Sequence, residues 1–197
     1  FPEFDKSDAL LYLPSTYARL CNSGDMDELT RLMKAYCQRD CTVILGPSLT
    51  IDIGFYLDLL RQADVIQADS MMCMHSTKVV GNQIQTVLYH KHTDTPEMHK
   101  YMSAVVTRPE FKYYFVGQRT EILRRNLRLW SLTKQKRDEV LAVLALEEEV
   151  QIYGKLNLII NFDPRTKKFV DLHHKFCYTS VTHNGVEYPL SETYCEE

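Results

Sequence analysis

The chain has 197 residues, of which 45% are hydrophobic and 25% charged, with a formal net charge of -3. That length suffices for one domain with a substantial core, and the balance excludes a global basic field of the kind that draws a protein to nucleic acid. No positive region followed by an apolar run opens the chain, and no apolar stretch approaches the roughly 20 residues that span a bilayer. Neither nucleic-acid nor membrane binding is therefore expected, and an intracellular protein, cytoplasmic or nuclear, is.

The elements follow in chain order. Leu10, Leu11, Leu13, Tyr17 and Leu20 recur at helical spacing and predict a helix over 7–22, with Pro14 tolerable if the helix starts there. Asn22-Ser23-Gly24-Asp25 reads as a stop followed by a restart. A second helix is expected over 25–37, with Met26, Leu29, Leu32, Met33 and Tyr36 on one face. Cys41 to Leu45 reads as a short strand broken by Gly46-Pro47, and 51–63 as a third helix carrying Phe55, Tyr56, Leu59 and Leu60.

Residues 70–80 and 83–92 read as a hairpin turning at Gly81-Asn82. A long insertion over about 94–150 follows, partly helical, with Thr133 as a candidate cap and 134–139 as a solvated first turn. Its Arg119, Arg124, Arg125 and Arg128 form a basic face, read as solvent-exposed or as a docking surface for a protein partner. Residues 152–163 and 167–180 form the clearest hairpin. Leu156, Leu158, Ile160 and Phe162 alternate on one arm; Val170, Leu172, Phe176 and Tyr178 alternate on the other, with His174 in register.

The six cysteines, Cys21, Cys37, Cys41, Cys73, Cys177 and Cys195, show no CxxC pair and are expected as free thiols. Cys37 and Cys41 read as helix-end residues packed as small apolar groups. His90 and His92, with His75 or His173, could form a metal site, but a solvated strand end accounts for them, so no metal and no cofactor is expected. No G-x-S-x-G elbow, glycine-rich phosphate loop or HExxH occurs.

Three stretches carry a family resemblance. YARLCNSGD over Tyr17–Asp25 resembles the first-helix ending of the NTF2-like (SnoaL-like) superfamily. DCTV over Asp40–Val43 resembles its first strand, and NFDPRTKKFVDLHHKF over Asn161–Phe176 its closing hairpin. The resemblance implies a single α+β domain over 1–197: a curved, mostly antiparallel sheet packed on three N-terminal helices as a cone, with the insertion before the last hairpin. It also implies a pocket in the cone and a dimer surface on the opposite face of the sheet. More weakly, the long insertion resembles that of NTF2-like domains attached to some bZIP-type transcription regulators.

The expected pocket lining is Tyr17, Leu45, Tyr56, His75, Leu158, Ile160, Leu172, His174 and Phe176. Tyr17 falls where related isomerases keep a catalytic tyrosine, but Leu45 falls at their base position, and a leucine accepts no proton. Asp171 points away from the apolar set. The expectation is therefore a non-catalytic domain binding a small apolar ligand or a partner, as a homodimer, in a larger protein. The alternative is an isomerase, cyclase or dehydratase using Tyr17 with His174 or His75.

Overall fold

A computed structural model describes residues 6–45, 49–66, 71–95, 133–135, 138–139 and 149–189. Their elements run α1 (Lys6–Ser23), α2 (Met26–Tyr36), β1 (Cys37–Leu45), β2 (Leu49–Asp52), α3 (Ile53–Ile66), β3 (Met71–Val80), β4 (Gln83–Asp94), β5 (Val150–Phe162), β6 (Phe169–His183) and β7 (Val186–Pro189).

Pro14 lies inside α1 rather than at its start. The missing amide costs one hydrogen bond, and burial of Leu10, Leu13, Tyr17, Ala18 and Leu20 holds the helix through it. Gly24 ends α1 with φ of 71°, a left-handed conformation favoured by glycine. Its amide reaches the Cys21 carbonyl, and the Asp25 amide reaches that of Leu20. Asp25 then caps α2, its carboxylate accepting from the Glu28 amide at 3.1 Å.

The strands join in the order β2-β1-β6-β5-β4-β3, with β7 paired to β6. The sheet is mostly antiparallel, and with three helices it makes an α+β fold. The β1–β6 pair is parallel, setting Val43 beside Leu172 and Leu45 beside His174. On β5 every even-numbered residue from Val150 to Phe162 is buried, and on β4 Ile84, Thr86 and Leu88 are. That period of two defines the inward face.

Turn chemistry fixes the hairpins. Gly81 has φ of 58° between β3 and β4. Between β5 and β6 the Asp163 carboxylate accepts from the Arg165 and Thr166 amides at 2.8 and 3.0 Å. These bonds hold its carboxyl below the usual range. Asn184 and Gly185 both have positive φ, which suits the tight turn into β7.

The residues group into two compact units, one holding 1–90 and 155–176, the other 91–154 and 177–196. Within the second, Thr179 Oγ1 donates to the Tyr153 carbonyl at 3.2 Å, and Lys91 Nζ lies 5.9 Å from the Tyr153 ring centroid. Most of the 94–150 stretch, including Arg119, Arg124, Arg125 and Arg128, lies outside the described residues. Lys134, Gln135, Asp138 and Glu139 are helical and exposed.

Three expectations are corrected. Cys177 is disulfide-bonded, so the six cysteines are not all free thiols. Cys37 and Cys41 lie on β1, because the strand begins directly where α2 ends. Two short strands, β2 and β7, join the sheet where none was expected.

Candidate functional site

Three side chains from three separate elements meet in the first unit. Tyr17 on α1 and Tyr56 on α3 share a hydrogen bond of 2.6 Å between their hydroxyls. The Tyr56 hydroxyl also meets His174 Nε2, from β6, at 3.1 Å. The Tyr56 and His174 rings lie tilted, with centroids 5.2 Å apart. All three are buried, His174 to 1% exposure.

Each element has a local reason to aim its residue there. Tyr17 shares the buried face of α1 with Leu13 and Leu20. Tyr56 lies beside buried Leu57 and Leu59 on α3, a helix that follows directly from β2. At the start of that helix, the Asp52 carboxylate accepts from the Phe55 amide at 2.8 Å. His174 follows Leu172 on the inward face of β6, and the parallel pairing sets Leu45 next to it.

The electrostatics follow from burial. Loss of solvent pushes the Tyr17 hydroxyl well above the ordinary tyrosine range, with the neighbouring Tyr56 and Cys21 adding to it. Burial and Cys21 likewise raise Tyr56, while its bond to Tyr17 opposes them. Burial lowers His174 to about 4, and the charge of neighbouring His173 adds to that. The Leu172 backbone opposes the shift, yet His174 Nδ1 has no hydrogen-bond partner of acceptable geometry. Near neutral pH the site is thus an uncharged hydroxyl–hydroxyl–imidazole chain with one unsatisfied ring nitrogen.

Leu45, Leu158, Ile160 and Leu172 are buried on the inward faces of their strands. The side chain of Phe176 lies outside the described residues. His75 does not join the group: it is exposed on β3, its ring 5.1 Å from that of Tyr89. Asp171 is half-buried on β6 and accepts from Asn161 Nδ2 at 2.6 Å. Sequence reasoning missed Thr86, 2% exposed on β4 and bonded to Thr77 at 3.0 Å. The Ile84-Thr86-Leu88 alternation carried that signal.

A separate groove of about 460 Å³ opens between α1 and β3, with Ser15, Arg19, Asn22, Met72 and Met74 among its walls. None of the three hydrogen-bonded residues lines it. Among the described residues, no three His, Cys, Asp or Glu side chains converge as metal ligands. No described helix is long and apolar enough to cross a membrane.

No protein-family model matches the chain, and no curated protein does. Among solved structures it is similar to an LEH-like epoxide hydrolase of M. tuberculosis at 9% identity, covering 87% of this chain and 81% of that one, with a TM-score of 0.48. A SnoaL-like polyketide cyclase from Jannaschia sp. CCS1 aligns at 8% identity over 89% of each chain, with a TM-score of 0.48. PrhC from Penicillium brasilianum aligns at 8% identity over 87% of this chain and 82% of its own, with a TM-score of 0.49.

Proposed function

We propose that this is a non-catalytic binding domain that encloses a small, mostly apolar ligand, with the Tyr17–Tyr56–His174 chain as its polar anchor. The observation that carries the reading is the buried, unsatisfied Nδ1 of His174. A buried polar atom left unpaired costs about 1–3 kcal/mol. A ligand oxygen that bonds this nitrogen recovers part of that cost, while apolar neighbours such as Leu45 and Leu172 favour a ligand that is otherwise hydrocarbon.

The alternative is an isomerase, cyclase or dehydratase acting on a small apolar substrate, with Tyr17 and His174 as its acid and base. The hydrogen-bonded chain favours it, since such a chain can relay a proton. The proton affinities weigh against it. A base near 4 is too weak to take a proton beside a carbonyl efficiently at neutral pH, and Tyr17 is held too basic to give one up. Tyr17 still serves as a hydrogen-bond donor, which binding requires. Apart from the two tyrosines, the buried polar residues among those described are Thr86, His174 and Ser180, and none is a carboxylate.

Titration with 2-naphthol, an apolar probe with one hydroxyl, followed by fluorescence, tests the reading. Saturable binding is expected, weakened about tenfold by His174→Phe, the equivalent of one lost hydrogen bond. An intact fold that binds no probe refutes it. Exchange of the α-hydrogens of cyclohexenone for deuterium, accelerated by the protein and abolished by Tyr17→Phe, would favour the alternative.

We also infer a homodimer formed through the outer face of the sheet, where Lys155, Ile159 and Asn161 are half-exposed on β5. The domain would then serve as the regulatory part of a larger intracellular, transcription-related protein, with 94–150 offered to a protein partner. Light scattering at micromolar concentration tests the dimer, and a monomer there counts against it.

A further inference from the structure

We propose that the groove between α1 and β3 is a binding site for a small aliphatic carboxylate, separate from the buried hydroxyl–imidazole chain. Its walls follow from two periodicities. Ser15, Ala18, Arg19 and Asn22 recur every three or four residues along α1 and form one stripe. Met72 and Met74 lie two apart on β3 and so share a face of that strand. Asn22 fastens the stripe to the strand, since its side-chain amide bonds both the carbonyl and the amide of Met72. The space left between them is about 460 Å³, within the range of small-molecule sites. Tyr17, Tyr56 and His174 take no part in its lining.

The chemistry of the walls selects the ligand. Asn22 is committed to Met72. Ser23 Oγ donates to the Leu20 carbonyl at 3.2 Å, and Ser15 Oγ to the Met74 sulfur at 3.4 Å. Arg19 is exposed and, among the described residues, forms no ion pair; no acidic residue lines the groove. A guanidinium presents its N–H donors as a planar fork that fits both oxygens of a carboxylate.

The apolar part of the lining is Ala18 with the thioethers of Met72 and Met74. Methionine is unbranched and adapts its shape to an apolar chain. Tyr12, 64% exposed, precedes Arg19 by two helical turns and extends the apolar surface of α1 on that side. One cation facing such walls suits a molecule with one negative end and a hydrocarbon tail. A polyanion would leave charge unmatched.

The test uses the full chain with 13C in its methionine methyl groups, followed by NMR during titration with octanoate. Met72→Leu and Met74→Leu assign the two signals. Both should shift saturably in the parent protein, with a dissociation constant on the order of 1 mM for so small a ligand. Octanol, which has the tail without the charge, should bind about tenfold more weakly. Arg19→Gln should weaken octanoate about tenfold and erase that preference. Folded His174→Phe should bind octanoate unchanged, so this site and the 2-naphthol site can fail independently. The proposal is overturned if both signals stay fixed at about 10 mM octanoate. It is also overturned if octanol binds as well as octanoate, or if Arg19→Gln binds octanoate as the parent does. Loss of octanoate binding in folded His174→Phe would put the ligand on the buried chain and overturn it equally.

Discussion

Substituting His174 with glutamine should flatten the acid limb of the stability profile. The imidazole sits near 4 in the folded chain, against 6.5 for an ordinary histidine. Between those values the unfolded chain binds a proton that the folded chain refuses, so stability falls as pH falls and levels off below about 4. At about 1.4 kcal/mol per pH unit, the whole window amounts to about 3 kcal/mol. The residue is 1% exposed, so solvent screening takes little from that figure. Tyr56, which meets the imidazole, and Tyr17 beyond it are both held above the ordinary tyrosine range and stay neutral throughout this window. Glutamine keeps a polar group near Tyr56 and has no proton to gain. Urea unfolding of both proteins at pH 7.5, 6.0, 5.0 and 4.5 gives the two profiles. Their difference should narrow by about 3 kcal/mol from the top of the window to the bottom, read from the extrapolated unfolding free energies. Parallel profiles would show that His174 titrates normally, and the buried neutral imidazole would be wrong.

Tyr56→Phe should destabilise more than Tyr17→Phe. The first strands both the Tyr17 hydroxyl and His174 Nε2, at roughly 2–4 kcal/mol, whereas the second removes the end of the chain at about 1 kcal/mol. Equal losses in denaturant titrations would break the proposed connectivity. Asn22→Ala should cost about 1–2 kcal/mol, because its side-chain amide donates to the Met72 carbonyl and accepts from the Met72 amide, each at 2.6 Å. Faster hydrogen exchange at Met72 should accompany it, and unchanged exchange would show that β3 is held without the contact.

The elements that were legible in the sequence are those whose apolar spacing is unambiguous. α2 and the β5–β6 hairpin fall where the period of 3.6 or 2 places them, within a few residues. β2 was missed because Leu-Thr-Ile-Asp is too short to show a period and runs straight into α3. β7 was missed although Asn184-Gly185 is a strong hairpin signal, since only four residues follow it in the strand.

The two histidines show a deeper limit. Alternation aimed both His75 and His174 inward. His174 lies on β6, between β1 and β5, and is buried. His75 lies on β3, at the edge of the sheet, where residues on both faces meet solvent. A period of two says which residues share a face, not whether anything covers it. Likewise Tyr17 and Tyr56 could be placed on helices, but their hydroxyl contact depends on how α1 and α3 pack.

The parallel β1–β6 pair also shapes how the chain is made. Val43 and Leu45 find their β2 partners within a few residues but their β6 partners only about 130 residues further on. At synthesis rates of roughly 5–20 residues per second, that delay lasts on the order of 10 seconds. Throughout it, helices and the β3–β4 hairpin can form locally, but β1 offers its unpaired edge to any neighbour. The nascent chain is therefore a natural client for a chaperone that shields apolar strands, and shortening the β1-to-β6 interval by circular permutation should reduce that dependence.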